Sequence, residues 1–430
     1  MITTRNLRHA VPAVACLWPA AGFSQTVDSG DSAWMLTSTA LVLFMTLPGL
    51  ALFYGGLVRT KNVLSVLMQC FAICCVVSLL WLVVGYSLAF GPTAAGGLVG
   101  DFSKAFFAGV ELQSVSGTIP ETVFAMFQLT FAIITPALVV GAFAERIRFS
   151  AMLWFSVAWV VVVYLPVTHW VWNSEGWLFA MGFRDFAGGS VVHVNAGVAA
   201  LVAALVLRNR QGFPATAMPP HNLTITVAGA SMLWVGWFGF NAGSALTAGT
   251  AAGMAMLVTH ISAAAGSFAW MSMEWIKFGK PSVLGIVTGM VAGLGTITPA
   301  SGFVGPMGAL AIGLVAGVVC FLATQFMKRK LGIDDSLDVF PVHGVGGFTG
   351  LMLTAVFSAA AGGLGLPDGQ TMAGQLGVQF IGAAATVVWC AVGTFVILKV
   401  VNLFVPLRVS AEDENQGLDI SQHDERGYNL

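Results

Sequence analysis

Two histidines and one aspartate are the residues of this chain whose types and settings could do chemistry. His193 lies in the stretch Asp185-Phe186-Ala187-Gly188-Gly189-Ser190-Val191-Val192-His193-Val194-Asn195-Ala196-Gly197, which opens an apolar segment running to about Leu207. If that segment is helical from Asp185 onward, the interval of eight residues puts His193 about 12 Å further in. An ionisable side chain at that depth in lipid-like sequence marks a functional site by default. A second one, His343, stands in Asp338-Val339-Phe340-Pro341-Val342-His343-Gly344-Val345-Gly346-Gly347, at the start of another apolar segment. Neutral imidazole has one donor and one acceptor nitrogen, so two facing rings can share a proton and line a narrow path. Metal binding fits less well, because no third His, Cys or carboxylate ligand lies nearby in the sequence. Asp185, ahead of Ala-Gly-Gly, is placed to cap its helix and to bias the path toward cations.

The elements that must hold these residues are membrane spans. Of 430 residues 57% are hydrophobic and 9% charged, where a soluble domain carries about 25% charged residues. Long apolar runs exclude an outer-membrane barrel, and 51 glycines suit helices packed through small side chains. The expected fold is an all-α polytopic membrane protein. A net charge of −1 says nothing about nucleic acid, and no nucleic-acid partner is expected. The cysteines Cys16, Cys70, Cys74, Cys75, Cys320 and Cys390 all sit in apolar runs, without metal-ligand spacing, and are expected as buried thiols. Arg5 and Arg8 precede a short apolar stretch ending in small residues, so residues 1–24 are expected to be a signal peptide, with the mature chain beginning outside near Gln25.

Eleven spans are expected, at 32–58, 63–90, 121–144, 149–172, 188–207, 222–242, 250–276, 283–299, 302–326, 339–359 and 372–406, forming a membrane domain over 25–406 with a polar cytoplasmic tail at 407–430. Basic residues follow the odd-numbered spans: Arg59 and Lys61, Arg146 and Arg148, Arg208 and Arg210, Lys277 and Lys280, Lys328-Arg329-Lys330, and Arg408. The opposite loops hold only Lys104 and Arg184. The positive-inside rule makes the N-terminus outside and the C-terminus cytoplasmic. Spans one to five and six to ten then form two inverted five-helix repeats, with a final helix after them, and such repeats place a substrate path at their interface. The Asp338–His343 stretch is the expected counterpart of Asp185–His193, although its interval is five residues rather than eight.

Around the path lie other candidates. Phe127-Gln128-Leu129-Thr130-Phe131 is in span three, Trp172 ends span four, and Phe240-Asn241-Ala242-Gly243-Ser244 ends span six. Singly these read as packing or interfacial residues; together, at the outer side, Trp and Phe faces can hold a small cation while a hydroxyl accepts its hydrogen bond. His169 and His260 are expected to make structural hydrogen bonds, Glu145 and Glu274 interface ion pairs, and Asp334 and Asp335 a solvated loop capping span ten. No Walker A loop, dinucleotide glycine pattern or HExxH is present, so no enzyme activity and no cofactor are expected.

An ordered set of motifs resembles the ammonium transporters (the Amt/Mep/Rh family), bacterial Amt branch. They are Leu52-Phe53-Tyr54-Gly55-Gly56-Leu57-Val58-Arg59, Phe127 to Phe131, Gly141-Ala142-Phe143-Ala144-Glu145-Arg146, Asp185 to Gly197, Trp234 to Ser244, Gly279-Lys280-Pro281-Ser282, Ile297-Thr298-Pro299-Ala300 and Asp334 to Gly344. The resemblance implies a homotrimer in a bacterial inner membrane, with one narrow pore per subunit. It implies an outer ammonium site at Phe131, Trp172 and Ser244, a gate of Phe131 and Phe240, a twin-histidine pair at His193 and His343, a buried Asp at Asp185 and a vestibule Gln at Gln128. Family tails carry Gly-Leu-Asp, then His-Gly-Glu and a Tyr. Here Gly417-Leu418-Asp419 is followed by His423-Asp424-Glu425-Arg426-Gly427-Tyr428, with Asp424 in place of Gly. A PII-type signalling protein is the partner implied at that tail. Three functions are compatible with these residues: electrogenic ammonium uptake, a passive channel for ammonia or carbon dioxide, and an ammonium sensor acting through a partner.

Overall fold

A polar residue ahead of an apolar run starts each of several helices. The computed structural model describes residues 26–429; the expected signal peptide at 1–24 and Cys16 lie outside the described residues. Ten described helices are long and apolar enough to cross a membrane. They are α1 Ser29–Leu57, α2 Thr60–Phe90, α3 Glu121–Phe143, α4 Phe149–Ala180, α5 Gly189–Leu207, α6 Leu223–Ala242, α7 Thr250–Phe278, α9 Pro306–Leu331, α10 Phe340–Ala359 and α11 Met372–Phe404. Between them α8, Val283–Ile297, has 15 residues, or about 22 Å against a hydrocarbon core of about 30 Å. Tight turns over 298–303 follow α8, where span nine was expected to begin, and α9 starts only at Pro306. Caps come from Asp28 (to Asp31 N, 2.8 Å), Asn222 (Ile225 N, 3.0 Å), Ser282 (Gly285 N, 2.8 Å) and Thr371 (Gly374 N, 3.0 Å). Each accepts from an amide that has no partner within its helix.

Two departures from regular helix bear on the pore. Pro48 interrupts α1, and Leu47 before it leaves helical dihedrals (φ −125°, ψ 102°), so α1 bends in its middle. Wide π-helical turns occupy Gly189–Val194 in α5, Phe238–Ala242 in α6 and Phe340–Gly344 in α10. Outside the helices, the loop at 91–120 holds two small hairpins, pairing β1 (Thr93–Ala94) with β2 (Val99–Gly100) and β3 (Val115–Ser116) with β4 (Ile119–Pro120).

Helices α5 and α10 cross closely. A Cβ at Gly197 would stand 2.2 Å from Gly344 N, and one at Gly347 would stand 2.9 Å from the Cβ of His193. Only hydrogen atoms at these positions let the two histidine-bearing helices touch backbone to backbone.

The ends of α1, α3 and α5 meet on one face and are locked by charge. Arg210 donates to Asp334 from N, Nε and Nη2 at 2.7–2.9 Å and from Nη1 to Glu145 at 2.8 Å. Arg59 adds N and Nε bonds to Glu145 at 2.6 and 2.9 Å, and Arg146 donates to Asp334 O at 2.6 Å. Glu145 is paired as expected, but buried. Burial pushes its carboxyl up, and Arg210 and Arg59 outweigh this and hold it below the ordinary range. Asp334 and Asp335 correct the expectation of a solvated loop: both are fully buried.

The tail docks on the same face. Its two short helices, α12 (Ala411–Gln416) and α13 (Leu418–His423), meet the starts of α2 and the loop after α5. Asp419 accepts from Ser65 N (2.7 Å), Asn62 from Leu418 N (2.8 Å), Glu414 from Gln211 N (2.7 Å), and the Tyr428 hydroxyl lies 3.1 Å from His221 Nε2.

Candidate functional site

The π-helical turns carry the site. His193, Phe240 and His343 each fall inside one, where the wider turn re-aims side chains and leaves backbone irregular. The two rings meet Nδ1 to Nδ1 at 3.2 Å, with centroids 5.2 Å apart and planes 23° from parallel. One Nδ1 must therefore donate and the other accept. His193 Nε2 is buried with no partner among the described residues.

Asp185 corrects the sequence geometry. The helix starts at Gly189, not at Asp185, so His193 is four residues, about 6 Å, inside it. Asp185 folds back on the helix start instead. Its Oδ1 accepts from Gly188 and Gly189 N (2.9 and 2.5 Å) and its Oδ2 from Ser190 and Val191 N (2.7 and 3.2 Å). Gly188, at φ +113°, supplies the left-handed backbone that allows this loop. Asp185 O also accepts from Trp172 Nε1 at 2.9 Å. One residue therefore fixes the histidine helix with its carboxylate and the outer tryptophan with its carbonyl.

The counterpart in the second half is Asp335, not Asp338. Asp335 Oδ2 accepts from Phe340 N at 2.7 Å, at the start of α10. It precedes His343 by eight residues, as Asp185 precedes His193. Asp338 is turned away to Lys328, 2.7 Å from its Nζ.

The aromatic candidates stack above the histidines. Phe131 and Phe240 lie 4.3 Å apart between centroids; Trp172 stands edge-on to Phe131 at 5.5 Å. Ser244 is half-buried one turn beyond Phe240, and its hydroxyl donates to Phe240 O at 2.8 Å, which leaves its lone pairs free to accept. Gln128 is buried one turn before Phe131, and its Oε1 has no partner among the described residues.

Trp237 was not singled out by sequence. It stacks on His193 (5.5 Å, 25°) and donates through Nε1 to Thr298 Oγ1 at 3.0 Å. Its place one turn before Phe240 on α6 was the available signal.

Below the phenylalanines is a lumen of about 10 Å³, walled by Ile134, Leu138, Val192, Leu233 and Val291 and reached by both histidines. That is space for about one water molecule. His343 also lines a wider cavity of about 300 Å³ that opens toward the tail-bearing face. The order is therefore stacked phenylalanines, apolar lumen with two imidazoles, and polar cavity.

His169 makes the expected structural bonds, Nδ1 to Ala89 O at 3.0 Å and Nε2 to Thr93 Oγ1 at 2.9 Å. His260 does not. Its side chain is exposed on α7, with the ring over Trp234 at 5.2 Å and no hydrogen bond among the described residues.

A family model, the Ammonium Transporter Family, matches residues 33–428. The chain belongs to the ammonium transporter family. Among curated members, the "Ammonium transporter" of Bacillus subtilis (strain 168) is 47% identical over 408 residues, covering 94% of this chain and 99% of that one. The "Putative ammonium transporter" of Methanothermobacter thermautotrophicus is 46% identical, covering 94% and 99%. Among solved structures, Saccharomyces cerevisiae Mep2 superposes with a TM-score of 0.82 at 37% identity, over 90% of this chain and 89% of Mep2. A structure described as "Sensor Amt Protein" gives 0.85 at 29% identity, over 92% and 98%. The multi-pass helical fold is thus that of the family.

Proposed function

We propose that this family member carries ammonium across the membrane with net charge. Ammonium binds at the outer site of Phe131, Trp172 and Ser244, and Gln128 lines that vestibule. At the Phe131–Phe240 gate the ion gives one N–H proton to water. Neutral ammonia then crosses the lumen past His193 and His343, while the proton moves separately along water and the imidazole pair and rejoins ammonia on the far side.

One observation carries this: a lumen of about 10 Å³ with apolar walls ends on two imidazoles 3.2 Å apart. A potassium ion of ammonium's size and charge cannot keep its hydration there, and has no proton to shed. Ammonia passes as a neutral molecule. His193 Nε2, without a partner among the described residues, offers it one hydrogen-bonding atom between otherwise apolar walls.

The test is ammonium-evoked current in proteoliposomes of the purified chain. His193→Ala is expected to abolish the current while outer binding persists. Ammonia flux without current would establish a passive gas channel instead. Similarity to a protein described as a sensor supports the other reading. That reading requires signalling to survive in a transport-dead Trp172 or His343 variant.

The setting follows from the same features. The basic ends of α1, α3 and α5 share one face with the docked tail, and the positive-inside rule makes that face cytoplasmic, in two inverted five-helix halves with α11 added. Similarity to the bacterial relative supports a bacterial inner membrane, and Arg5 and Arg8 ahead of a short apolar stretch support the expected signal peptide. Exposed His260 and the unpartnered Trp234 Nε1 on the α6–α7 face support burial against further copies, in a homotrimer. The tail's docking on the pore domain supports a PII-type partner there.

A further inference from the structure

The proton of the proposed relay has to rest on an imidazole inside a lumen of about 10 Å³ with apolar walls, where a positive charge loses its hydration. The carboxylate at the start of the same helix, Asp185, has both oxygens committed to four backbone amides. What lies against His193 is aromatic. His343 is the titratable group in contact with it. On the α6 side Trp237 stands 5.5 Å away between centroids with planes 25° apart, and Phe240 stands at 6.1 Å and 24°. The two are three residues apart, so both fall on one face of α6, and both line the lumen. For a mere wall, tryptophan is a costly choice. Leu233, one turn earlier, walls the same lumen with no polar atom, whereas a buried indole N–H must find a partner. Here Nε1 donates to Thr298 Oγ1 at 3.0 Å, and that hydroxyl in turn donates to Leu294 O at 2.8 Å. Trp237 is only 3% exposed and Thr298 is fully buried, so the end of α8 fixes the plane of the indole.

We infer that Trp237 stabilises the protonated form of His193 through its π face, and so sets how readily the histidine pair carries charge. The inference deepens the charge-moving reading above and rests on it. An aromatic face attracts a cation within about 6 Å of its centroid, indole most strongly, and the attraction grows where water is excluded. Trp237 meets both conditions. His193 Nε2, without a partner among the described residues, takes the proton released to water at the gate, and both ring nitrogens then carry hydrogen. Nδ1 passes its own proton to Nδ1 of His343, 3.2 Å away. His343 then releases its Nε2 proton into the cavity of about 300 Å³ beyond it. One proton enters and one leaves, and between the two transfers the charge rests on His193 beside the indole. Trp237 itself takes no proton; it acts through His193.

Fluorination withdraws electrons from an indole face while changing its size little and keeping its N–H. Tryptophans with one to four ring fluorines, placed at position 237 alone by nonsense suppression, should lower the ammonium-evoked current in proteoliposomes step by step, to about a tenth with four fluorines. The ammonium concentration for half-maximal current should stay unchanged, because the outer site is untouched. Tetrafluorotryptophan in place of Trp234, which lies over His260 rather than His193, should leave the current as it is. Trp237→Leu keeps an apolar wall and should lose at least as much current; should it fail to fold, the fluorinated series still decides. A current indifferent to fluorine at position 237, or lowered equally from position 234, would overturn the role of Trp237 and leave the transport reading standing. Ammonia flux without current in the unmodified protein would overturn the transport reading, and this role would fall with it.

Discussion

Asp185 and Asp335 hold equivalent places: each stands eight residues before a pore histidine and accepts the first free amides of that histidine's helix. Their surroundings differ. Asp185 accepts four N–H bonds and has both oxygens satisfied, whereas Asp335 Oδ1 is buried without a partner. The second half caps its helix with a carboxylate that is less well compensated for its burial.

That difference predicts a pH dependence of stability. Burial, and then the neighbouring Asp338 carboxylate, push Asp335 from the ordinary 3.8 up to about 7. The folded chain therefore keeps this proton over a range in which the unfolded chain has lost it. Stability contributed by the group falls as pH rises from 3.8 to about 7, and is flat above that. Asp335→Asn keeps an oxygen to cap Phe340 N but cannot ionise. Relative to the native chain, its Tm should improve between pH 5 and about pH 7 and level off above that in thermal melts of the detergent-solubilised protein. Parallel melting curves across that range would show that Asp335 does not change charge there.

Much of this was legible in the sequence, and the misses have physical causes. Long apolar runs and their basic ends specified the helices, because lipid leaves the backbone no other partner. His193, His343, Phe131 and Phe240 stood out as costly or clustered groups, and the structure brings these four together. The pairing of Asp335 with Asp185 was hidden because Asp338 lies nearer to His343, and a sequence interval does not show which carboxylate faces the helix start. Helical periodicity of 3.6 residues could not place the π-helical turns. Nor could it show that Asp334 is buried, since burial there comes from Arg210 and Arg146, far away in the chain.

Ser244 tests the outer site. Its hydroxyl hydrogen is committed to Phe240 O, so its lone pairs face outward as acceptors. Ser244→Ala removes one hydrogen bond to a cation, about 1.5 kcal/mol at a half-exposed position, or roughly tenfold. In current recordings, the ammonium concentration for half-maximal current should rise about tenfold, with maximal current kept within about twofold. A fall in maximal current at unchanged half-saturation would place Ser244 in the gate rather than the binding step.

His260 tests the assembly. A polar ring exposed halfway along a membrane helix, over a tryptophan whose N–H lacks a partner among the described residues, is costly in lipid and would be relieved by the proposed subunit contact. His260→Glu should shift the proposed trimer to monomer on native gels, because a carboxylate would be buried in the proposed interface. His260→Leu should leave the trimer intact. Trimers that survive the Glu substitution would move the interface off the α6–α7 face.

Asp424 stands where the resemblance implies a Gly in the tail, and the structure places it in the left-handed backbone region. The residue ends α13 at φ 55°, ψ 33°, and hydrogen bonds run from its own N to Ile420 O (3.0 Å) and from Glu425 N to Asp419 O (3.2 Å) across the turn. Glycine reaches this conformation freely at a helix end, while Asp reaches it at a penalty of up to about 1 kcal/mol. The docked tail accepts that penalty because Asp419, Leu418 and Tyr428 already tie it to the pore domain. Asp424→Gly should therefore hold the tail more firmly, slowing hydrogen exchange of the amides at 424 and 425 by about fivefold, the equivalent of 1 kcal/mol. Asp424→Ala should move them the other way, since Ala resists positive φ more than Asp. Were Asp424→Gly to speed exchange instead, the Asp side chain would have to be stabilising the turn through a contact that outweighs its backbone strain.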